Sequence, residues 1–331
     1  MKIYFASTGI PDDKSCIPAL RRLAEADRHG VHSVSLDPED ADIILFTECH
    51  LIPDWRLRVI LDSPLVRRFH EKCYVYDERD RPWCALPGVF VSMPKQDFRE
   101  AFQRSWGYCG IEEPFVRLGL ARPPGDDPDL LVSFAGTRSH RSRSPLYGLR
   151  HERAVIEETI GFVFFDPKSV GFAERRARFA ELLYRSKFVL CPRGRGTSSI
   201  RLYETMAAGR APVIVADDWV PPVGPEWDAF AVRWPERGAD RLIAHLETIE
   251  GDAERMGAAA YGAYLEFFAA DTVFHRLIET LGQVRNREFT QSFPSNGLRD
   301  GAYWKTGLSV ARDSARVRLG ALRRSLGRAG R

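Results

Sequence analysis

Short apolar runs recur along the first part of the chain, and amphipathic stretches separate them. "KIYFA" (2–6) reads as a strand, and "PALRRLAEADRHG" (18–30) as a helix closed by Gly30. "SVSLD" (33–37) is a short strand. "ADIILFTE" (41–48) carries four apolar residues in a row, the pattern of a strand covered on both faces. "SPLVRRFHE" (63–71) is a short helix and "CYVYDE" (73–78) a further strand. This alternation predicts a parallel, doubly wound sheet.

The pattern breaks at "ARPPGDDPD" (121–129), where three prolines, a glycine and three aspartates leave little scope for regular structure. A second alternating series begins at once. It runs through the strand "LLVSFAG" (130–136), the basic loop "TRSHRSRSPLYGLR" (137–150), a helix around "ERAVIEETI" (152–160) and the strand "FVFFD" (162–166). Next comes the helix "AERRARFAELLYRS" (173–186), with Phe179, Leu182 and Leu183 on one side. The strand "KFVLC" (187–191), the loop "PRGRGTSS" (192–199) and the helix "SIRLYETMAAG" (199–209) complete the series. The expected plan is an N-terminal α/β domain over 1–122, a linker at 121–129, a C-terminal α/β domain over 129–290 and a basic tail over 291–331.

Composition changes this picture little. The chain has 331 residues, 44% of them hydrophobic and 28% charged, enough for two domains with their own cores. Net charge is +3, which gives no global signal for nucleic acid. The charge is uneven: from Leu298 to Arg331 nine Lys/Arg face two Asp, so the tail carries +7 and the rest −4. The opening "MKIYFAST" is too short and too strand-like for a signal sequence, and no run reaches the roughly 18 apolar residues of a membrane span. A cytoplasmic protein is the expectation. Cys16, Cys49, Cys73, Cys84, Cys109 and Cys191 are scattered without CxxC spacing, so they read as reduced thiols and not as a zinc site.

The candidate chemistry lies in the loop 192–199. Ligands of parallel sheets bind beyond the carboxyl ends of the strands, where this loop stands. Gly194 and Gly196 let the backbone approach a ligand. Thr197 or Ser198 can cap the helix that follows, whose first-turn N–H groups and dipole attract an anion. Arg193, Arg195 and Arg201 add fixed positive charge. Arg201 and Glu204 are three apart and share a helix face, a cation for phosphate and a carboxylate for ribose hydroxyls. The plainer alternative is an exposed i,i+3 ion pair worth about 0.2–0.5 kcal/mol. The loop is neither a P-loop nor GxGxxG, so by itself it signals an anion site and no more.

The stretch around this loop resembles the exostosin-type glycosyltransferases. The matching positions are Ser186-Lys187-Phe188, Cys191-Pro192-Arg193-Gly194, Ser198 or Ser199 with Arg201 and Glu204, Ala207 with Gly209, and Pro212-Val213-Ile214. Asp218 with Pro221, and Trp227 with Phe230 and Val232, extend the match. Two shorter segments, "DPEDADIILFTE" and "LLVSFAGTRSHRSR", are similar as well, and the second sets Arg138 opposite a family arginine. The resemblance runs from Asp37 to about Ile249. It implies a GT-B fold, two Rossmann-like domains facing across a cleft, with the donor held mainly by the second. It also implies an inverting transfer from a nucleotide sugar, commonly UDP-linked, to a glycan or glycolipid, without a metal. Eukaryotic members carry an N-terminal anchor and disulfides; this chain resembles a soluble bacterial-type member.

An inverting transfer needs a base for the acceptor hydroxyl. Glu48 and His50, at the end of the strand 41–48, are the leading candidates, and Asp12 with Asp13 come next; His50 also reads as an ordinary loop residue. Arg138 would meet the donor diphosphate, while Arg141 and Arg143 read as a solvated basic loop. Asp217 and Asp218 either touch sugar hydroxyls or start the turn before Pro221. In the tail, Leu308, Ala311, Ala315, Leu319, Leu322 and Leu326 fall at helical spacing, with Arg312, Arg316, Arg323 and Arg324 off that stripe. Such a helix either lies on an anionic membrane or packs on its own protein. Two further readings stand beside an active transferase: a non-catalytic exostosin-like subunit and a nucleotide-binding regulator.

Overall fold

The structure, a computed structural model, describes residues 1–7, 15–48, 60, 63–80, 82, 84, 86–109, 128–160 and 171–284. Two separate sheets organise these residues, each parallel throughout. The first contains β1 (Lys2–Ala6), β2 (Ser33–Val34), β3 (Ile43–Glu48), β4 (Cys73–Asp77), β5 (Gly88–Phe90) and β6 (Gln103–Ser105), in the order β2-β1-β3-β4-β5-β6. The second contains β7 (Leu130–Gly136), β8 (Ala154–Glu158), β9 (Ser186–Pro192), β10 (Ala211–Val215) and β11 (Val232–Arg233), in the order β11-β10-β9-β7-β8.

Helices cover both. In the first unit these are α1 (Ile17–Ala26) and α2 (Pro64–Phe69), the latter capped where Ser63 Oγ accepts from Leu65 N. In the second they are α3 (Phe172–Arg185), α4 (Ile200–Ala207), α5 (Trp227–Phe230), α6 (Leu242–Thr248) and α7 (Ala253–Phe267). The last described helix, α8 (Val273–Gly282), returns to the first unit. There Phe274 meets Phe5 edge-to-face with ring centroids 6.4 Å apart, and α8 packs against α1.

The expected alternation is therefore present, as two Rossmann-like α/β units, which is the GT-B plan. Continuous apolar strands mark sheets covered on both faces: all five residues of β10 are buried, as are Phe188–Pro192 in β9.

Several details differ from the expectation. Residues 154–158 form a strand, not a helix. Val155 and Ile156 are β-branched, and they pair in parallel with Ser133 and Phe134 at the edge of the second sheet. Edge pairing outweighs a helix-like local pattern, and the Glu157 and Glu158 at its end suit an unpaired edge. Two strands, β5 and β6, were not legible; each is only three residues long. Gly30 does not close α1, whose C-cap is Asp27; with φ +62° it forms a later turn, where its N donates to neither helix nor strand but to Asp27 Oδ2. The linker up to 127, the strand expected at 162–166 and the tail 291–331 lie outside the described residues.

The two units abut through an aromatic group. Tyr203 of α4 and Trp106, just after β6, both pack on Phe268, at centroid distances of 4.9 and 5.5 Å. Tyr203 Oη donates to the Trp106 carbonyl. Trp227 joins at 6.4 Å from Phe268. These side chains belong to one buried cluster that continues from the first sheet into the second. Aromatic pairs of this kind add about 0.5–1.5 kcal/mol each beyond area burial.

Candidate functional site

The carboxyl ends of the two sheets face each other, and the loop between β9 and α4 lies where they meet. Gly196 N donates to Asp80 Oδ1 at 3.1 Å, across the boundary between units. The approach demands glycine: a Cβ at position 196 would stand 2.5 Å from Ser92 Oγ and 3.0 Å from Asp80 Cα. Two more bonds cross nearby, from Lys95 N to the Asp218 carbonyl at 2.9 Å and from Ser105 Oγ to the Val220 carbonyl at 2.6 Å.

α4 starts at Ile200, with Ser199 extended as its N-cap; neither Thr197 nor Ser198 caps it, and Ser199 makes no side-chain cap bond. Thr197 and Ser198 are buried instead, at 2% and 4% exposure. Ser198 lies beside the hydroxyls of Tyr108 and Tyr203, and Thr197 Oγ1 has no partner. The helix ends cleanly because Gly209 takes φ +67°, and Gly209 N and Arg210 N donate to the Met206 and Thr205 carbonyls.

Arg193, mostly buried, points Nη1 at Asp218 Oδ2 (3.2 Å) and lies 3.7 Å from Glu236 Oε1. Its Nε is buried without a partner. Arg195 is exposed. Arg201 donates from Nη2 to the Ala135 carbonyl at the end of β7, and its guanidinium lies 4.7 Å from the Phe134 ring and 5.2 Å from the Phe179 ring. Burial draws its pKa down, and its Nε is also buried and unpartnered. Glu204 is 1% exposed, so the solvent-facing Arg201–Glu204 pair does not describe this helix.

Arg138 and Arg143 differ in their surroundings, and Arg143 is not the solvated residue expected. Arg138 is exposed; its Nε meets both oxygens of Glu158 at 2.9 Å, and its guanidinium lies 4.5 Å from the Tyr147 ring. Arg143, read from sequence as solvated, is buried under the loop. It donates to the carbonyls of Arg193 (2.8 Å), Thr137 (3.1 Å) and Pro192 (3.1 Å), and its Nη2 is 3.4 Å from where a Cβ on Gly194 would be. Burial, with Arg201 as a like charge nearby, draws its pKa down to about 10. The sequence held a faint signal: the turn over Arg141–Arg143 directly follows β7, at a carboxyl edge. His140 joins the group, its pKa lowered first by burial and then by Arg193.

On the first unit, the backbone of Glu48 ends β3 directly beside Asp77 of β4. Asp12, Asp13 and His50 lie outside the described residues. A carboxyl not singled out from the sequence stands next to this edge. Glu78 Oε1 accepts from Tyr76 Oη (2.5 Å) and from Cys109 N, and its Oε2 is 3.5 Å from Cys16 Sγ. Burial raises its pKa against those hydrogen bonds. The residue before Cys109, Tyr108, packs edge-to-face on Tyr203 at 6.2 Å. Asp77, behind it, is neutralised by a buried ion pair with Arg79 at 2.5 Å.

The loop thus gathers three arginines, buried hydroxyls and a helix N-terminus on one unit, opposite carboxyls on the other. Fixed cations and main-chain N–H groups at such an edge suit a phosphate-bearing ligand.

Comparison with known proteins bears on the family. The family described as the Exostosin GT47 domain matches residues 64–249. A Caenorhabditis elegans exostosin-1 homolog is 39% identical over 66 residues, 19% of this chain and 17% of that protein. A "probable glucuronosyltransferase" of Oryza sativa subsp. japonica is 33% identical over 135 residues, 39% of this chain and 30% of that protein. The chain thus matches less than a third of the length of either curated relative. Among solved structures, a glycosyltransferase from Rickettsia africae superposes with a TM-score of 0.41 at 11% identity, covering 89% of this chain and 98% of its own.

Proposed function

The chain belongs to the exostosin GT47 family, and on that premise we propose that it is an inverting glycosyltransferase. It moves a sugar from a nucleotide-sugar donor, UDP-linked in the first instance, to a hydroxyl of a glycan or glycolipid. One observation carries the reading. Around a single loop at the boundary of the two units, Arg193 Nε, Arg201 Nε and Thr197 Oγ1 are buried donors without acceptors. A buried donor left unmet costs about 1–3 kcal/mol, more when charged, and a diphosphate is the group that would meet all three.

In this mechanism α4 presents its N-terminus to the diphosphate, and Arg193 and Arg201 take up the negative charge that grows as the nucleotide departs. Arg143 holds the loop in the shape this requires. The role is one that arginines and oriented N–H groups fill without a divalent ion. Glu204 and Asp218 contact ribose and sugar hydroxyls, with Gly194, Ser198 and Ser199 leaving room for the donor. A group at the carboxyl edge of the first sheet accepts the acceptor's proton. Glu48, His50 and Asp12 are the sequence candidates, and Glu78 joins them because a carboxylate whose pKa is raised by burial is a stronger proton acceptor once ionised. The acceptor oxygen, its proton passed to that group, bonds to the anomeric carbon from the face opposite the nucleotide as the bond to the diphosphate oxygen breaks, and the centre inverts. The basic tail 291–331 would hold the protein at an anionic surface, where a glycolipid acceptor is found.

The test is a thermal-shift titration with UDP, GDP and their sugars, followed by donor turnover and NMR of the product linkage. Stabilisation by a nucleotide, with turnover and an inverted linkage, is expected. Stabilisation without turnover would leave the regulator reading, and no stabilisation would leave the non-catalytic subunit.

A further inference from the structure

At the opposite end of the first sheet, the strands' amino ends, a second polar cluster has no part in the proposed transfer. His32 immediately precedes β2, and His275 and Glu279 are four apart on α8, so they share one helix face. One ligand atom from each of the three lies within 4.8 Å of the others. The His32 and His275 rings are stacked at 5.1 Å, and His29 stacks on the outer side of His275 at 4.0 Å.

Two features separate this cluster from an ordinary surface group. His32 is buried, at 8% exposure, and its Nε2 has no hydrogen-bond partner although Glu279 Oε1 is only 3.2 Å away. His275 Nδ1 is likewise buried and unpartnered. Two imidazole rings and a carboxylate thus converge, with one ligand atom from each in reach of a common point. On its other side, His32 Nδ1 meets the Met1 amine at 3.2 Å, a contact that fixes the ring.

We propose that His32 Nε2, His275 Nδ1 and Glu279 bind a divalent zinc ion, with water in the fourth position. Two neutral imidazoles and a carboxylate are a zinc donor set. Tetrahedral zinc places its ligand atoms about 3.4 Å apart, within small side-chain rotations of the present spacing.

The ion's role is to fasten the chain. α8 arrives from the second unit, and Arg28 N already donates to the Asp271 carbonyl at the same seam (2.9 Å). Zinc would lock α8 onto the β2 edge, far from the carboxyl edge that carries the proposed donor site.

The experiment uses the full chain, stripped with a chelator and titrated with zinc chloride at neutral pH. One zinc per chain and a raised Tm are expected, and cobalt(II) in its place should show the visible bands of tetrahedral N/O coordination. His32→Ala and His275→Gln should each weaken binding by about 100-fold or more, since losing even an outer-shell partner costs 10–100-fold. Glu279→Gln, at a half-exposed position that will not compromise folding, should weaken it as well, and His29→Ala should leave it in place. Absence of stoichiometric zinc in the wild type, or affinity unchanged in both His275→Gln and Glu279→Gln, would overturn the assignment. Nucleotide binding plays no part in these readouts.

Discussion

Arg143 donates from Nε to the main-chain carbonyl of Arg193 at 2.8 Å, and from Nη2 to that of Pro192. One buried side chain thereby fixes the course of the loop that carries the other arginines. Arg143→Ala should unfix it, lowering stability by about 1.5–3 kcal/mol for loss of a charged hydrogen-bonding group and weakening nucleotide binding. Arg143→Lys should rescue little, since one ammonium cannot span three carbonyls. A thermal melt together with a UDP titration reads both effects. Wild-type binding in Arg143→Ala would show that the loop holds its own shape.

Arg201→Ala should lower kcat/KM by about 2–4 kcal/mol of transition-state stabilisation, as removal of a preorganised electrostatic donor does. Glu204→Gln should mainly raise KM, because a ribose contact is made equally in ground and transition states. Steady-state kinetics separates the two. Equal effects on kcat from both variants would contradict the division of roles.

Gly196→Ala forces a methyl group to within 2.5 Å of Ser92 Oγ and 3.0 Å of Asp80 Cα. The Ser92 hydroxyl can rotate, but the Asp80 backbone cannot move alone, so the loop must withdraw from the first unit. Turnover should fall at least tenfold with only a small change in Tm, because the strain lies at the boundary and not in either core. Unchanged kcat in Gly196→Ala would mean that this contact is dispensable.

Glu78 gives a pH signature. Its folded pKa is raised by burial, so the native state keeps this proton to higher pH than the unfolded chain does. The stability linked to it is present below the unfolded value and is lost as pH rises through the folded one. Denaturant melts should therefore show stability declining across that window, above the usual glutamate range, and Glu78→Gln should flatten the decline. If Glu78 is also the base, kcat/KM in Glu78→Gln should collapse while nucleotide binding persists. Collapse in Glu48→Gln alone would assign the proton transfer to β3 instead.

Charge neutralisation by arginines predicts donor turnover that survives EDTA. Chelation should lower Tm through loss of the zinc clasp, so the assay belongs well below the melting transition. Activity lost to EDTA and restored by Mn²⁺ or Mg²⁺, but not by zinc, would place a catalytic metal at the donor site.

The sequence by itself determined the two alternating β/α series, because strands buried on both faces must be written as unbroken apolar runs, as in β3, β9 and β10. It also determined the family and singled out the loop 192–199, because glycines, arginines and a helix start in that order are a local pattern, legible without knowing the fold. It could not decide which arginine serves the loop. Arg138 and Arg143 differ by five positions in one basic run, and only the packing of the turn after β7 sends Arg143 inward and leaves Arg138 with Glu158. The strand at Ala154–Glu158 was hidden for a similar reason, since only its pairing with β7, the preceding strand, makes it extended. Glu78 gained its raised pKa from burial, which outweighs its hydrogen bonds from Tyr76, Cys109 and Cys16, and His32 met His275 and Glu279 across more than two hundred residues. Burial and convergence of this kind are properties of the packed chain, because desolvation acts on what surrounds a group in space and not on what precedes it in sequence.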